Sequence, residues 1–285
     1  MKAIIASAQI IGGTAARVFG NWGVVLRLSA PMILPVVVAV LWFWHQITTG
    51  GIQRFQPVEQ GGEGAIPVLV VVCGLLAVFG FYWLAVGWHR FEVLGERPRG
   101  LMPRAPASFA LGYFGRTLLV GLVTALLLMA VGLVGLFTAD RVGKTYAFYY
   151  GELPYPVTIK NLILSSFLLS AAMAGALHVS LILPAGAVGR KIAMSDSSLA
   201  LRRLPPWTPF VLMLMMHLIG IVVNSVLTEA AQGLSLLLLL PFLLMFWLVF
   251  GVALLTRVYM ICFPEPEPAA EAAPPAPLGP EAPGA

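Results

Sequence analysis

The stretch IPVLVVVCGLLAVFGFYWLAVGW, residues 66–88, runs for more than twenty positions without an acid or a strong base. An uninterrupted run of that length is what about 30 Å of hydrocarbon demands of a helix. Five more segments read the same way, at about 24–44, 118–137, 159–183, 210–228 and 234–255. No open sheet satisfies its backbone at that depth, and barrel strands would read as short alternating pieces, so the six spans are helices. Composition agrees, with 59% hydrophobic residues against 10% charged, far below the charge of a water-soluble domain. The expected fold class is therefore all-α: a polytopic membrane helix bundle of six transmembrane helices over residues 22–263.

Two flanking segments read differently. Residues 1–21 begin MKAIIASAQIIGG, whose first apolar stretch is too short for the core of a secretory signal. Ile4, Ala8, Ile11, Ala15 and Val18 share one helical face, which predicts an uncleaved N-terminal interfacial helix, weakened at Gly12 and Gly13. The other flank, PEPEPAAEAAPPAPLGPEAPGA over 264–285, is rich in proline and glutamate and has no basic residue. Such a segment builds neither core nor stable helix and is expected to be a disordered, polyproline-like tail.

Alternating the loops between two sides separates the cations. Arg54, Arg141, Lys144 and Lys160 fall on one side, and the other thirteen of the 17 lysines and arginines fall on the opposite one. The positive-inside rule makes the basic side cytoplasmic and places both termini there.

That asymmetry gives the loop GWHRFEVLGERPRG, 87–100, a first reading. Trp88 and Phe91 suit an aromatic belt, and Arg90, Arg97 and Arg99 suit anionic phospholipid headgroups. A sharper reading has His89, Arg90 and Glu92, held at a helix end, bind a headgroup or a partner protein specifically. Gly95 and Pro98 read as turn residues. The second basic loop, GRKIAMSDSSLALRRLPPW over 189–207, predicts a short helix. Ser195 or Asp196 would cap it, Leu199, Ala200 and Leu204 would form its apolar side, and Arg202 and Arg203 would occupy its last turn. Docking of a membrane or cytoplasmic partner protein is the alternative role of these arginines. On the other side, 140–160 is dense in tyrosine and suits the outer interface or a ligand.

Polar groups within spans are expensive and default to functional hypotheses. His178 and His217 lie at similar expected depths on the fourth and fifth spans. Ser166, Ser170, Ala174 and His178 follow one stripe; His217, Gly220, Asn224 and Thr228 follow another. These predict a polar seam of Ser170, His178, His217 and Asn224 that either binds a ligand or ion, or only hydrogen-bonds two helices together. Two histidines without a third ligand make a poor metal site. Pro31, Pro35 and Pro241 lie inside spans, where each removes a helix hydrogen bond.

The chain has no GxSxG, HExxH or glycine-rich phosphate loop, and Cys73 and Cys262 show no ligand spacing. No catalytic residue, cofactor or metal is expected, and no nucleic acid, since basic residues gather only beside spans. WHRFEVLGERPRG, ILPAGAVGRK and SLALRR resemble loops of uncharacterised bacterial inner-membrane proteins, and of the membrane domain attached to some glycerophosphodiester phosphodiesterases. The likeness extends over roughly 20–260 and implies a six-helix architecture in a bacterial inner membrane. It implies no phosphodiesterase activity, because the acidic and histidine cluster of such a catalytic domain is missing. The functional expectation is a non-enzymatic protein that organises lipids or partners, with a small-solute or lipid transporter as the alternative.

Overall fold

The computed structural model describes residues 1–49, 68–98, 107–143, 155–230 and 234–264. The aromatic segment at 144–154, the glycine-rich segment at 50–67, Arg99 and the acidic stretch from 265 onward lie outside the described residues. Among the described residues the regular structure is helical. In chain order come α1 (Lys2–Gly20), α2 (Trp22–Thr48), α3 (Val68–Leu94), α4 (Ala107–Gly143) and α5 (Tyr155–Ser180). Short α6 (Ile182–Ala187) and α7 (Met194–Ala200) follow, then a 3-10 turn at Leu201–Arg203, α8 (Thr208–Ala230) and α9 (Leu234–Cys262).

Helices α2, α3, α4, α5, α8 and α9 carry the six expected spans, and α1 is a seventh helix long and apolar enough to cross a membrane. Large apolar side chains are exposed around the bundle, with Leu111 at 72% and Leu75 at 67%. In water such a surface would aggregate; in lipid it is the solvent-matched face. Within the apolar windows, α5 and α9 are half buried and α4 and α8 scarcely so, which makes the first pair central and the second peripheral.

Several boundaries differ from expectation. Helix α3 does not stop at Trp88 but continues to Leu94. It ends where Gly95 takes a left-handed φ of 67°, its N–H donating to Phe91 O at 3.1 Å. The bases of the first loop are thus partly helical. Prolines 31 and 35 lie inside α2 without ending it. Their neighbourhood instead marks a close crossing. A Cβ on Gly80 would lie 2.6 Å from the backbone of Pro31 and Met32, so only glycine lets α3 approach α2 there.

Two apolar clusters fill the basic end, with α9 as their shared wall. One joins Leu28, Leu84, Trp88, Ile182 and Val249; the other joins Ile10, Leu181, Leu212 and Tyr259. All of α6 is buried between them.

Helix α1 packs against α8, α9 and the end of α3, its Phe19 ring 6.1 Å from Phe246 within α9. Ser7 Oγ donates to Thr208 O at the start of α8, Arg17 meets Glu92 near the end of α3, and Gly13 faces Arg257 near the end of α9. Its buried stripe is Ser7, Ile10, Thr14 and Val18. This shifts the expected face: Val18 is buried and Ile11 and Ala15 pack partly against the second cluster, while Ile4 and Ala8 are exposed. The reason is that small hydroxyl residues seat closely and close their hydrogen bonds locally, Thr14 Oγ1 on Ile10 O at 2.8 Å. Ile4 and Ile5 are left exposed on a second, outward apolar face.

The loop helix α7 is capped as expected by Asp196, which accepts the Ala193 N–H at 3.0 Å. Ala200 and Leu204 are buried as expected, but Leu199 is 54% exposed, because the chain tightens into the 3-10 turn immediately after it.

Candidate functional site at the basic end of the bundle

The extension of α3 carries His89 inward. The ring is fully buried, with Nδ1 2.7 Å from Thr256 Oγ1 on α9 and Nε2 3.1 Å from the Tyr113 hydroxyl on α4. Geometry assigns the protons. Thr256 already donates its hydroxyl to Val252 O at 2.8 Å, so Oγ1 accepts from His89 Nδ1–H. Nε2 is then the acceptor, and Tyr113 donates to it. The outcome is one directional chain, Tyr113 to His89 to Thr256 to the α9 backbone, that ties three helices with a neutral imidazole. His89 was expected at headgroups or a partner; its ring is instead enclosed among α3, α4 and α9, because α3 runs on five residues past it to Leu94.

Arg90 is equally committed. Nε and Nη2 grip both carboxylate oxygens of Glu96 at 2.9 and 2.7 Å, and Nη1 donates to Ala187 O, the end of α6, at 3.1 Å. The guanidinium also lies 5.3 Å from the centre of the Phe109 ring on α4. A bidentate, stacked arginine with its fork filled is a structural fastener, not a free headgroup contact.

Arg203 closes the last turn of α9, donating from Nη1 to Cys262 O at 2.8 Å. Glu92, its side chain only 5% exposed, sits 3.6 Å from Arg17 Nε. Arg97 and Arg202 are different. Both are exposed, and neither has a hydrogen bond or ion pair among the described residues.

The expected seam between α5 and α8 divides in two. Ser170, His217 and Asn224 line one cavity of about 400 Å³, together with Met173, Met216 and Trp247. His178 lines another of about 420 Å³, with Arg202, Trp207 and Phe210. The split follows from α7, whose serines hold His178: Ser198 Oγ stands 3.2 Å from Nδ1, and Ser197 donates to the His178 carbonyl. Ser170, fully buried, turns its hydroxyl onto Ser166 O at 2.6 Å within its own helix. The two histidines thus line different cavities.

Trp207 was missed as a site residue in the sequence. It occupies the third place of the turn Pro205–Thr208, closed by Thr208 N–H on Pro205 O at 3.1 Å, with φ at 68°. Proline in second place and a positive φ in third describe a type II turn, where glycine is the usual third residue. The signal was present as PPWT, but nothing in that string says that tryptophan takes the left-handed position. Tyr113 and Thr256 were also missed, since a lone tyrosine and threonine in apolar runs carry no spacing that pairs them with His89.

The described residues contain no cluster of three or more histidine, cysteine or acidic side chains suited to a metal ion. The chain matches no protein-family model, no curated protein and no solved structure. What it does must be argued from the site alone.

Proposed function

We propose that the chain is a non-enzymatic integral membrane protein that organises anionic phospholipids or a partner protein at the cytoplasmic face of a bacterial inner membrane. The observation that supports this reading is the division of labour among arginines at one end. Arg90 is filled by Glu96 and Ala187 O, and Arg203 spends one donor on Cys262 O, whereas Arg97 and Arg202, both exposed, make no hydrogen bond or ion pair among the described residues. Each such cation near an anionic leaflet adds about 1 kcal/mol of attraction. Helix α1 suits the same surface: one face packs on the bundle, one exposes Ile4, Ile5 and Phe19, and one edge carries Lys2, Gln9 and Arg17. Placed in the interface plane, it would rest its apolar face in lipid and its polar edge in water.

Native mass spectrometry of the protein released from its own membrane in gentle detergent tests the proposal. Retained anionic phospholipid, or a retained protein, is the expected result; a bare chain with no preference among lipids overturns it. A transporter is the second reading, supported by the separate cavity holding Ser170, His217 and Asn224. It predicts a bound small molecule that disappears in His217→Ala while lipid retention is unchanged.

A further inference from the structure

We infer that the cavity beside the start of α8 binds one anionic phospholipid, its phosphate held by Arg202 and His178 and an acyl chain against the apolar wall. This rests on the lipid-organising reading above and gives it a location and a chemistry. The cavity measures about 420 Å³, within the range of small-ligand sites. Ala174, Gly175, Leu204, Pro206 and Phe210 supply walls without a side-chain donor, suited to a hydrocarbon chain and poorly suited to a soluble anion.

Polar groups occur at the rim of the cavity and are spare. Arg202 is exposed and unpartnered among the described residues, whereas its neighbour Arg203 donates from Nη1 to Cys262 O. His178 has Nδ1 beside Ser198 Oγ at 3.2 Å, while its Nε2 has no hydrogen-bond partner among the described residues. A guanidinium and an imidazole at one rim offer donors to a phosphate diester. A zwitterionic headgroup would bring its ammonium against Arg202, whereas phosphatidylglycerol carries the phosphate charge without one.

The third group is Trp207. Its indole is 76% exposed, and its backbone holds a φ of 68° that non-glycine residues adopt rarely. Strain at a rim, maintained where glycine would relieve it, is the kind of outlier that accompanies a binding role. An indole at headgroup depth packs along the glycerol region of a lipid with its N–H turned to the polar side.

The test compares wild type, Arg202→Gln, Trp207→Gly and Arg97→Gln in detergent, titrated with phosphatidylglycerol, phosphatidylethanolamine or inorganic phosphate and read by native mass spectrometry. Wild type should retain phosphatidylglycerol in preference. Arg202→Gln and Trp207→Gly should each weaken it about fivefold, the equivalent of one rim interaction, and Arg97→Gln, outside the cavity lining, should weaken it less than either. Trp207→Gly should also keep or raise the thermal midpoint, because glycine is at ease at that φ. Loss of lipid without loss of stability separates a contact from a turn constraint. Were Trp207→Gly to lower the midpoint, Arg202→Gln, on an exposed side chain, would decide alone. A wild-type preference that survives Arg202→Gln overturns this site and leaves the lipid-organising reading standing. Absence of any preference in wild type overturns both, and displacement of the lipid by inorganic phosphate alone would reassign the site to a free anion.

Discussion

At the scale of single residues, the basic end is held by side chains whose hydrogen bonds close on one another. The Tyr113–His89–Thr256 chain is the clearest case, since each hydroxyl and ring nitrogen has a defined role. Tyr113→Phe removes one donor and should cost about 1 kcal/mol. His89→Ala opens a void and strands the Tyr113 hydroxyl, so about 3 kcal/mol is expected. Thermal unfolding in detergent, followed by circular dichroism, measures both. The pairing is coupled, so Tyr113→Phe should cost nothing further once His89→Ala is present; full additivity would refute the assigned bond. None of this was legible beforehand. The sequence shows a histidine beside arginines at the end of an apolar run, and whether it faces lipid or core depends on where α3 stops.

At the scale of elements, close helix approach depends on where glycines fall. Gly74 and Gly80 both lie on α3, yet a Cβ at Gly74 meets nothing within 4 Å and one at Gly80 would strike the α2 backbone at 2.6 Å. Gly80→Ala should force α2 and α3 apart and destabilise by about 2–3 kcal/mol. Gly74→Ala should be neutral or stabilising by up to about 1 kcal/mol, from helix propensity alone. Equal effects at the two positions in the same unfolding assay would contradict the crossing. The helices themselves were readable in advance, because apolar length is a local property. The rotation of α1 was not: its expected stripe counted only apolar residues, whereas the buried one includes Ser7 and Thr14, whose hydroxyls bond to carbonyls.

At the scale of the whole molecule, one end is closed by short elements and the lateral surface is apolar. The last turns of α3 and α9, the start of α8 and part of α1 meet at the end where Arg90, Arg97, Arg202 and Arg203 gather. If that end is cytoplasmic and α1 lies in the interface, both ends of α1 are on one side of the membrane. Cysteines introduced as Lys2→Cys, Asn21→Cys and Arg97→Cys should then all react with an impermeant maleimide in inside-out vesicles, and none in right-side-out cells. Lys2→Cys labelling from the opposite side would make α1 a seventh span. Both native cysteines are buried and so should give a low background.

Taken alone, the order of residues determines the solvent and the architecture. Long uncharged runs have no stable place in water, backbone groups in hydrocarbon must bond within their own helix, and the skew of arginines predicts an orientation. Those are properties of segments and need no partner. Tertiary structure decides which polar groups are spent and which are spare. Arg90 and Arg97 stand seven positions apart in one loop sequence, yet Arg90 is enclosed by Glu96, Ala187 and Phe109 while Arg97 is exposed. His178 and His217 match in expected depth, yet α7 binds one and a different cavity receives the other. The physical reason is the same in each instance: a side chain's availability is set by neighbours distant in sequence, and local spacing carries no record of them.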